Sequence, residues 1–97
     1  MSNPHPKIVV TGRIPASGID LLRAVGEVWN WAGDDPIPIA VRDTRLADAD
    51  AVVTLLHDRV DDAFLAAAPD VGIVANVAVG YNNIDVAACT ARGVLDW

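Results

Sequence analysis

Three short runs in this chain are apolar on both faces, and each is followed by a stretch with helical spacing. The runs are Lys7-Ile8-Val9-Val10-Thr11-Gly12, Asp50-Ala51-Val52-Val53-Thr54-Leu55-Leu56 and Gly72-Ile73-Val74-Ala75-Asn76-Val77. A strand with one wet face alternates apolar and polar residues, whereas a strand apolar throughout needs cover on both sides. That is the situation of a parallel sheet flanked by helices.

The intervening stretches complete the pattern. Pro15 opens a helix whose apolar positions are Ile19, Leu21, Leu22 and Val25, with Gly26 as the stop. Glu27-Val28-Trp29-Asn30-Trp31 alternates, so it is expected as an edge strand with both tryptophans on one face. A weaker helical pattern runs from Ile37 through Ile39, Ala40, Val41 and Arg42 to Leu46, with two prolines at its start. Asp61 or Asp62 caps a helix carrying Ala63, Phe64, Leu65 and Ala68, ended by Pro69. Gly80-Tyr81-Asn82-Asn83 reads as a turn, and Asp85 to Arg92 as a last helix closed by Gly93. The order β-α-β-α-β-α-β-α predicts an α/β fold with right-handed crossovers. Gly93-Val94 has the character of an entry to a fifth strand.

At 97 residues the chain is one domain at most. Its composition is 53% hydrophobic, with a mean hydropathy of +0.33, more apolar surface than this length hides easily. A net charge of −6 without clustered basic residues disfavours nucleic acid and anionic membrane surfaces. The single cysteine, Cys89, closes no intrachain disulfide and is expected to face the core. The polar start and the lack of a long apolar run make a cytoplasmic protein the default expectation.

Several chemistries lack their residues. The glycines stand at 12, 18, 26, 33, 72, 80 and 93, so no Gly-x-Gly pair is available to approach a pyrophosphate. Lys7 is the only lysine, which removes a phosphate loop ending Gly-Lys-Ser/Thr. A receiver domain needs acidic residues at the strand ends, but the first strand ends in Thr11-Gly12-Arg13 and Asp50 precedes the third. His5, His57 and Cys89 have no partners at ligand spacing, so no metal site is expected. Arg13, Arg59 and His57 are catalytic candidates by residue type only and are read as solvated or structural; no catalytic residue is assigned.

Ligands of open α/β sheets bind at the carboxyl ends of strands. The segment Asn76-Val77-Ala78-Val79-Gly80-Tyr81-Asn82-Asn83-Ile84-Asp85 runs from a strand through a glycine turn into a helix. Successive backbone N–H groups in such a turn can hold a carboxylate. The commoner use of such a segment is a plain turn.

The stretch Ala75 to Val86, followed by Ala91-Arg92-Gly93-Val94, resembles the D-2-hydroxyacid dehydrogenases, most of all their glyoxylate and hydroxypyruvate reductase branch. Lys7 to Pro15, Asp48 to Leu56 and Asp58-Arg59-Val60 resemble the same branch, in order and at its spacing. The resemblance implies a flavodoxin-like substrate domain that closes over a separate NAD(P)-binding domain. It implies that backbone N–H groups at Val79 and Gly80 hold the carboxylate of a small 2-oxo or 2-hydroxy acid. Leu56 and His57 would line the same pocket, although an exposed loop histidine is an equally good reading of His57. Relatives carry the dinucleotide fingerprint and the catalytic arginine, glutamate and histidine beyond the position of Val94, and Leu95-Asp96-Trp97 leaves the family pattern. Residues 1–97 are therefore expected to be an incomplete N-terminal substrate domain, truncated after about four strands. NAD or NADP is implied by the family but has no site here, and the chain is expected to be inactive alone. The alternatives are a small carboxylate-binding module, or an interaction protein that associates with itself through an exposed sheet edge or the interdomain surface.

Overall fold

The computed structural model describes residues 5–55, 58–77 and 83–96. Five strands form one parallel sheet in the order β2-β1-β3-β4-β5. They are β1 (Lys7–Val10), β2 (Glu27–Asn30), β3 (Ala51–Leu55), β4 (Ile73–Val77) and β5 (Leu95–Asp96). The connecting helices are α1 (Ala16–Val25), α2 (Ile39–Leu46), α3 (Asp62–Ala66) and α4 (Val86–Ala91). This is the flavodoxin-like strand order. Leu95 and Asp96, set apart in the sequence reading, pair with Ile73 and Val74 as a two-residue fifth strand.

Right-handed crossovers put α1 on one face, because β1 leads to β2 in one direction. The chain then steps the other way through β3, β4 and β5, which puts α2, α3 and α4 on the opposite face. The alternation of strand residues follows. Val9, Val52 and Val74 join Leu46, Phe64, Leu65 and Cys89 in the larger core on the three-helix face. Ile8, Val10 and Val53 meet Ile19 in a smaller core under α1.

The α1 stripe differs from the sequence reading. Ile19 is buried, and Leu22 packs against the same cluster. Leu21 is 72% and Val25 63% exposed. A helix with apolar residues at 19, 21, 22 and 25 carries two overlapping stripes, and only one can face the sheet. In α2 the start moves to Ile39, which is exposed, while Ile37 is buried ahead of the helix. Pro38 sits at the N-cap with extended backbone, as the residue conformation before a helix requires.

Trp29 and Trp31 also part company. Trp29 packs against the three-helix core beneath Arg45, whose guanidinium lies 4.7 Å from the ring centre. Strand β2 ends at Asn30, and Trp31 instead turns its indole onto Gly33 and donates from Nε1 to Asp35 O at 2.8 Å.

Helices α3 and α4 carry the expected N-caps. The Asp61 carboxylate accepts from Phe64 N at 2.9 Å, and the Asp85 carboxylate accepts from Ala88 N at 3.0 Å. The end of α4 is a Schellman motif. Val94 N–H donates to Cys89 O, and Gly93 N–H donates to Thr90 O, with Gly93 at φ 69°. Cys89 is buried, as a small core hydrophobe.

Candidate functional site

The carboxyl ends of β1, β3 and β4 carry a connected set of polar side chains on the three-helix face. In the parallel register Thr54 lies opposite Asn76, and the Thr54 hydroxyl donates to Asn76 Oδ1 at 2.9 Å. Asn76 and Asn83 pair head to tail. Asn76 Nδ2 donates to Asn83 Oδ1, and Asn83 Nδ2 donates to Asn76 Oδ1, both at 3.0 Å. Asn83 Nδ2 also reaches the main chain of the neighbouring segment, with Asp58 O at 2.9 Å and Leu55 O at 3.2 Å. These two carbonyls can only accept, which fixes the orientation of the Asn83 amide and, through it, that of Asn76.

A second set lies beside it. Thr11, just past β1, is fully buried, and its hydroxyl donates to the carboxylate of Asp58. The same Asp58 oxygen accepts from Leu55 N at 2.9 Å, and Asp58 N–H donates to Leu55 O at 3.0 Å. Asp58 is only 4% exposed, so a carboxylate is tolerated there because these donors meet it. Val60 N–H donates to Asn83 O at 2.8 Å, and Asp85 N–H donates to Val60 O at 2.7 Å, forming a parallel bridge between Val60 and Ile84.

Leu56, His57, Val79 and Gly80, the predicted substrate-binding positions, lie outside the described residues, as does Tyr81. The residues that bracket them are described. Leu55 and Asp58 flank 56–57, and Val77 and Asn83 flank 78–82. Thr54, Asn76, Asn83 and the Thr11–Asp58 contact were not singled out from sequence. The available signal was a pair of asparagines on either side of the glycine turn, together with a hydroxyl inside an otherwise apolar strand.

The two described candidates by residue type, Arg13 and Arg59, are engaged at the surface. Arg13 donates from Nε to Ala32 O and pairs with Asp34 at 3.1 Å, with its side chain mostly exposed. Arg59 is exposed, 3.6 Å from Asp61. A pocket of about 270 Å³ lies near these strand ends, lined by Gly12, Arg13, Trp31 and Leu55 among others. Among the described residues no buried side-chain nitrogen or oxygen lacks a hydrogen-bond partner. These groups are therefore committed to holding main chain in place, which is a scaffolding chemistry. The resolved titration shifts fall at the opposite end of the sheet. There the Lys7 ammonium hydrogen-bonds Asp48, which raises the lysine and holds the carboxyl below its ordinary value.

Among the described residues no group of three or more His, Cys, Asp or Glu is gathered to hold a metal ion. Pyrophosphate binds where free N–H groups open a helix. Here Pro15 and Pro38 precede α1 and α2 without a side-chain cap, and the carboxylates of Asp61 and Asp85 each take one N–H group, Phe64 N and Ala88 N, at the start of α3 and α4. Among the described residues no helix is long and apolar enough to cross a membrane.

Comparison with known proteins agrees with this architecture. Residues 8–95 match the model of the D-isomer specific 2-hydroxyacid dehydrogenase catalytic domain. A glyoxylate reductase of Thermococcus kodakarensis is 45% identical over 90 residues, covering 93% of this chain and 27% of the relative. A Thermus thermophilus protein of known structure superposes with a TM-score of 0.85 at 26% identity, covering 93% of this chain and 29% of the other. An NADPH-dependent glyoxylate/hydroxypyruvate reductase of Sinorhizobium meliloti, solved with NADP and malonate, gives a TM-score of 0.68 at 26% identity. It is covered over 27% of its length, against 95% of this chain. The chain thus spans about a quarter of the length of the curated relatives it matches.

Proposed function

The chain belongs to the D-isomer specific 2-hydroxyacid dehydrogenase family, and on that premise we propose that it supplies the carboxylate-holding wall of a substrate domain. Backbone N–H groups at Val79 and Gly80 bind the carboxylate of a small 2-oxo or 2-hydroxy acid, and Leu56 and His57 line the pocket. One observation carries this reading. The two spans leave the carboxyl ends of adjacent parallel strands, β3 and β4, and the residues bracketing them are joined by the Asn83 side chain. The glyoxylate reductase relatives favour glyoxylate or hydroxypyruvate as the acid.

Reduction of such an acid needs a hydride donor, for which the family implies NAD or NADP. It also needs a cation at the carbonyl and a proton donor. The sequence offers no Gly-x-Gly spacing at which a nucleotide's pyrophosphate could approach the main chain. The 97 residues by themselves therefore bind acid without turning it over. In the test, purified chain is titrated with glyoxylate and followed by amide resonances, alongside an assay of NADH and NADPH oxidation. The expected result is saturable shifts at residues 56–57 and 79–80 with no oxidation. Turnover by pure protein, or shifts confined to other residues, overturns the proposal.

A second reading is self-association through the uncovered part of the α1 face. Val77 is 49% and Leu95 64% exposed there, on neighbouring strands. Sedimentation equilibrium decides it: a concentration-dependent mass supports association, and a constant monomer mass excludes it.

A further inference from the structure

We infer that Asn83 is a positioning residue that fixes the two carboxylate-holding spans relative to one another, an inference that rests on the reading above. One side chain makes every connection the task requires. Its NH2 group faces the carbonyls of Leu55 and Asp58, the residues on either side of positions 56–57. Its amide also pairs with Asn76, one residue before β4 ends, while its main chain closes the far side of positions 78–82. The backbone repeats the link, because Asn83 O accepts from Val60 and Val60 O accepts from Asp85. The described β3–β4 ladder runs as far as Leu55 and Val77, and Asn83 adds a further link between the two segments past those residues.

The chemistry requires asparagine at this length. The Asn83 NH2 group offers two hydrogens to three acceptors, Asp58 O, Leu55 O and Asn76 Oδ1, so one hydrogen is shared, and the Asn76 NH2 group donates back to Asn83 Oδ1. A carboxylate of the same shape would face two carbonyl oxygens with no proton to give. A side chain one methylene longer would displace the amide from all of these partners. The pair lies half-buried on the three-helix side of the sheet ends, above the fully buried Thr54. A ligand that needs N–H groups from both spans at once gains from a tie between the residues that bracket them.

The test compares wild type with Asn83→Asp by amide hydrogen exchange without ligand and by glyoxylate titration. The expected outcome is faster exchange of the Asp58, Val60 and Asp85 amides together, by about tenfold, the upper range of the factor carried by one lost hydrogen bond. The Val9 and Val52 amides keep their protection, and glyoxylate affinity falls by a similar factor. If Asn83→Asp does not fold, Asn76→Ala carries the test. It removes the partner amide and leaves the Asn83 contacts to Leu55 and Asp58, so the same three amides loosen by a few-fold. Acceleration at Asp85 alone, acceleration uniform over the whole chain, or unchanged exchange overturns the role assigned to Asn83. Wild-type protein that shows no glyoxylate binding sinks the carboxylate wall instead, while the exchange pattern still judges the tie.

Discussion

The two faces of the sheet are built to different standards. On one, α2, α3 and α4 close over a core that holds thirteen buried apolar residues among those described, from Val9 to Val94. On the other, α1 alone covers a core of four, Ile8, Val10, Ile19 and Val53, and leaves Val77 and Leu95 in solvent. The polar network at the strand ends belongs to the better-covered face, since Thr54 and Asn76 point the same way as Val52 and Val74. Positioning of main chain therefore sits on the face with the larger core. The thinly covered face is where additional surface from elsewhere has room to bind.

The largest expected effect that would break this contrast comes from Phe64. It is fully buried in the large core, so Phe64→Ala should cost about 3–5 kcal/mol, read as a fall in the urea midpoint. Ile19→Ala on the α1 face should cost nearer about 2 kcal/mol, because the emptied volume opens towards solvent and α1 can settle. Equal losses would mean that the two faces bear stability alike. Next come the caps. Asp61→Ala removes the acceptor for Phe64 N and should cost about 1 kcal/mol. The α1 helix has no side-chain cap to lose, so its N-terminus should exchange amide hydrogens faster than that of α3.

Leu21 gives a smaller effect. Leu21→Gln should stay within about 0.5 kcal/mol of wild type, and a large loss would show that this side of α1 is covered after all. Smallest is the exposed Lys7–Asp48 pair at the amino end. The Asp48 carboxyl is held low, so its contribution is present above the usual carboxylate range and lost as pH falls through the lowered value. The Lys7 ammonium is held high, so its contribution is present below the usual lysine range and lost as pH rises through the raised value. The difference in urea midpoint between wild type and Asp48→Asn should therefore be flat across neutral pH and vanish in acid.

The parts of the fold legible in the sequence were those set by local chemistry. β1, β3 and β4 announced themselves as runs apolar on both faces, and Gly93 as the left-handed stop of α4. The α1 stripe was misread because Leu21 and Val25 form as good a ridge as Ile19 and Leu22, and the choice depends on how the helix is rotated over the sheet. At the site, the turn expected at Gly80-Tyr81-Asn82-Asn83 lies outside the described residues except for Asn83. The Asn76–Asn83 clasp was not legible, since it depends on the register that sets Thr54 opposite Asn76 and on Leu55 lying 28 positions from Asn83.

The strand order has a consequence for how this polypeptide is made. β1 is flanked by β2 and β3, so its second edge stays unpaired until Ala51 to Val53 have emerged from the ribosome, more than forty positions after Ile8. Contacts that distant must close a long loop before they return any stabilisation. Nascent chains shorter than about fifty residues accordingly expose an apolar central ribbon, and the wait for β3 is the stage at which a chaperone has most to shield.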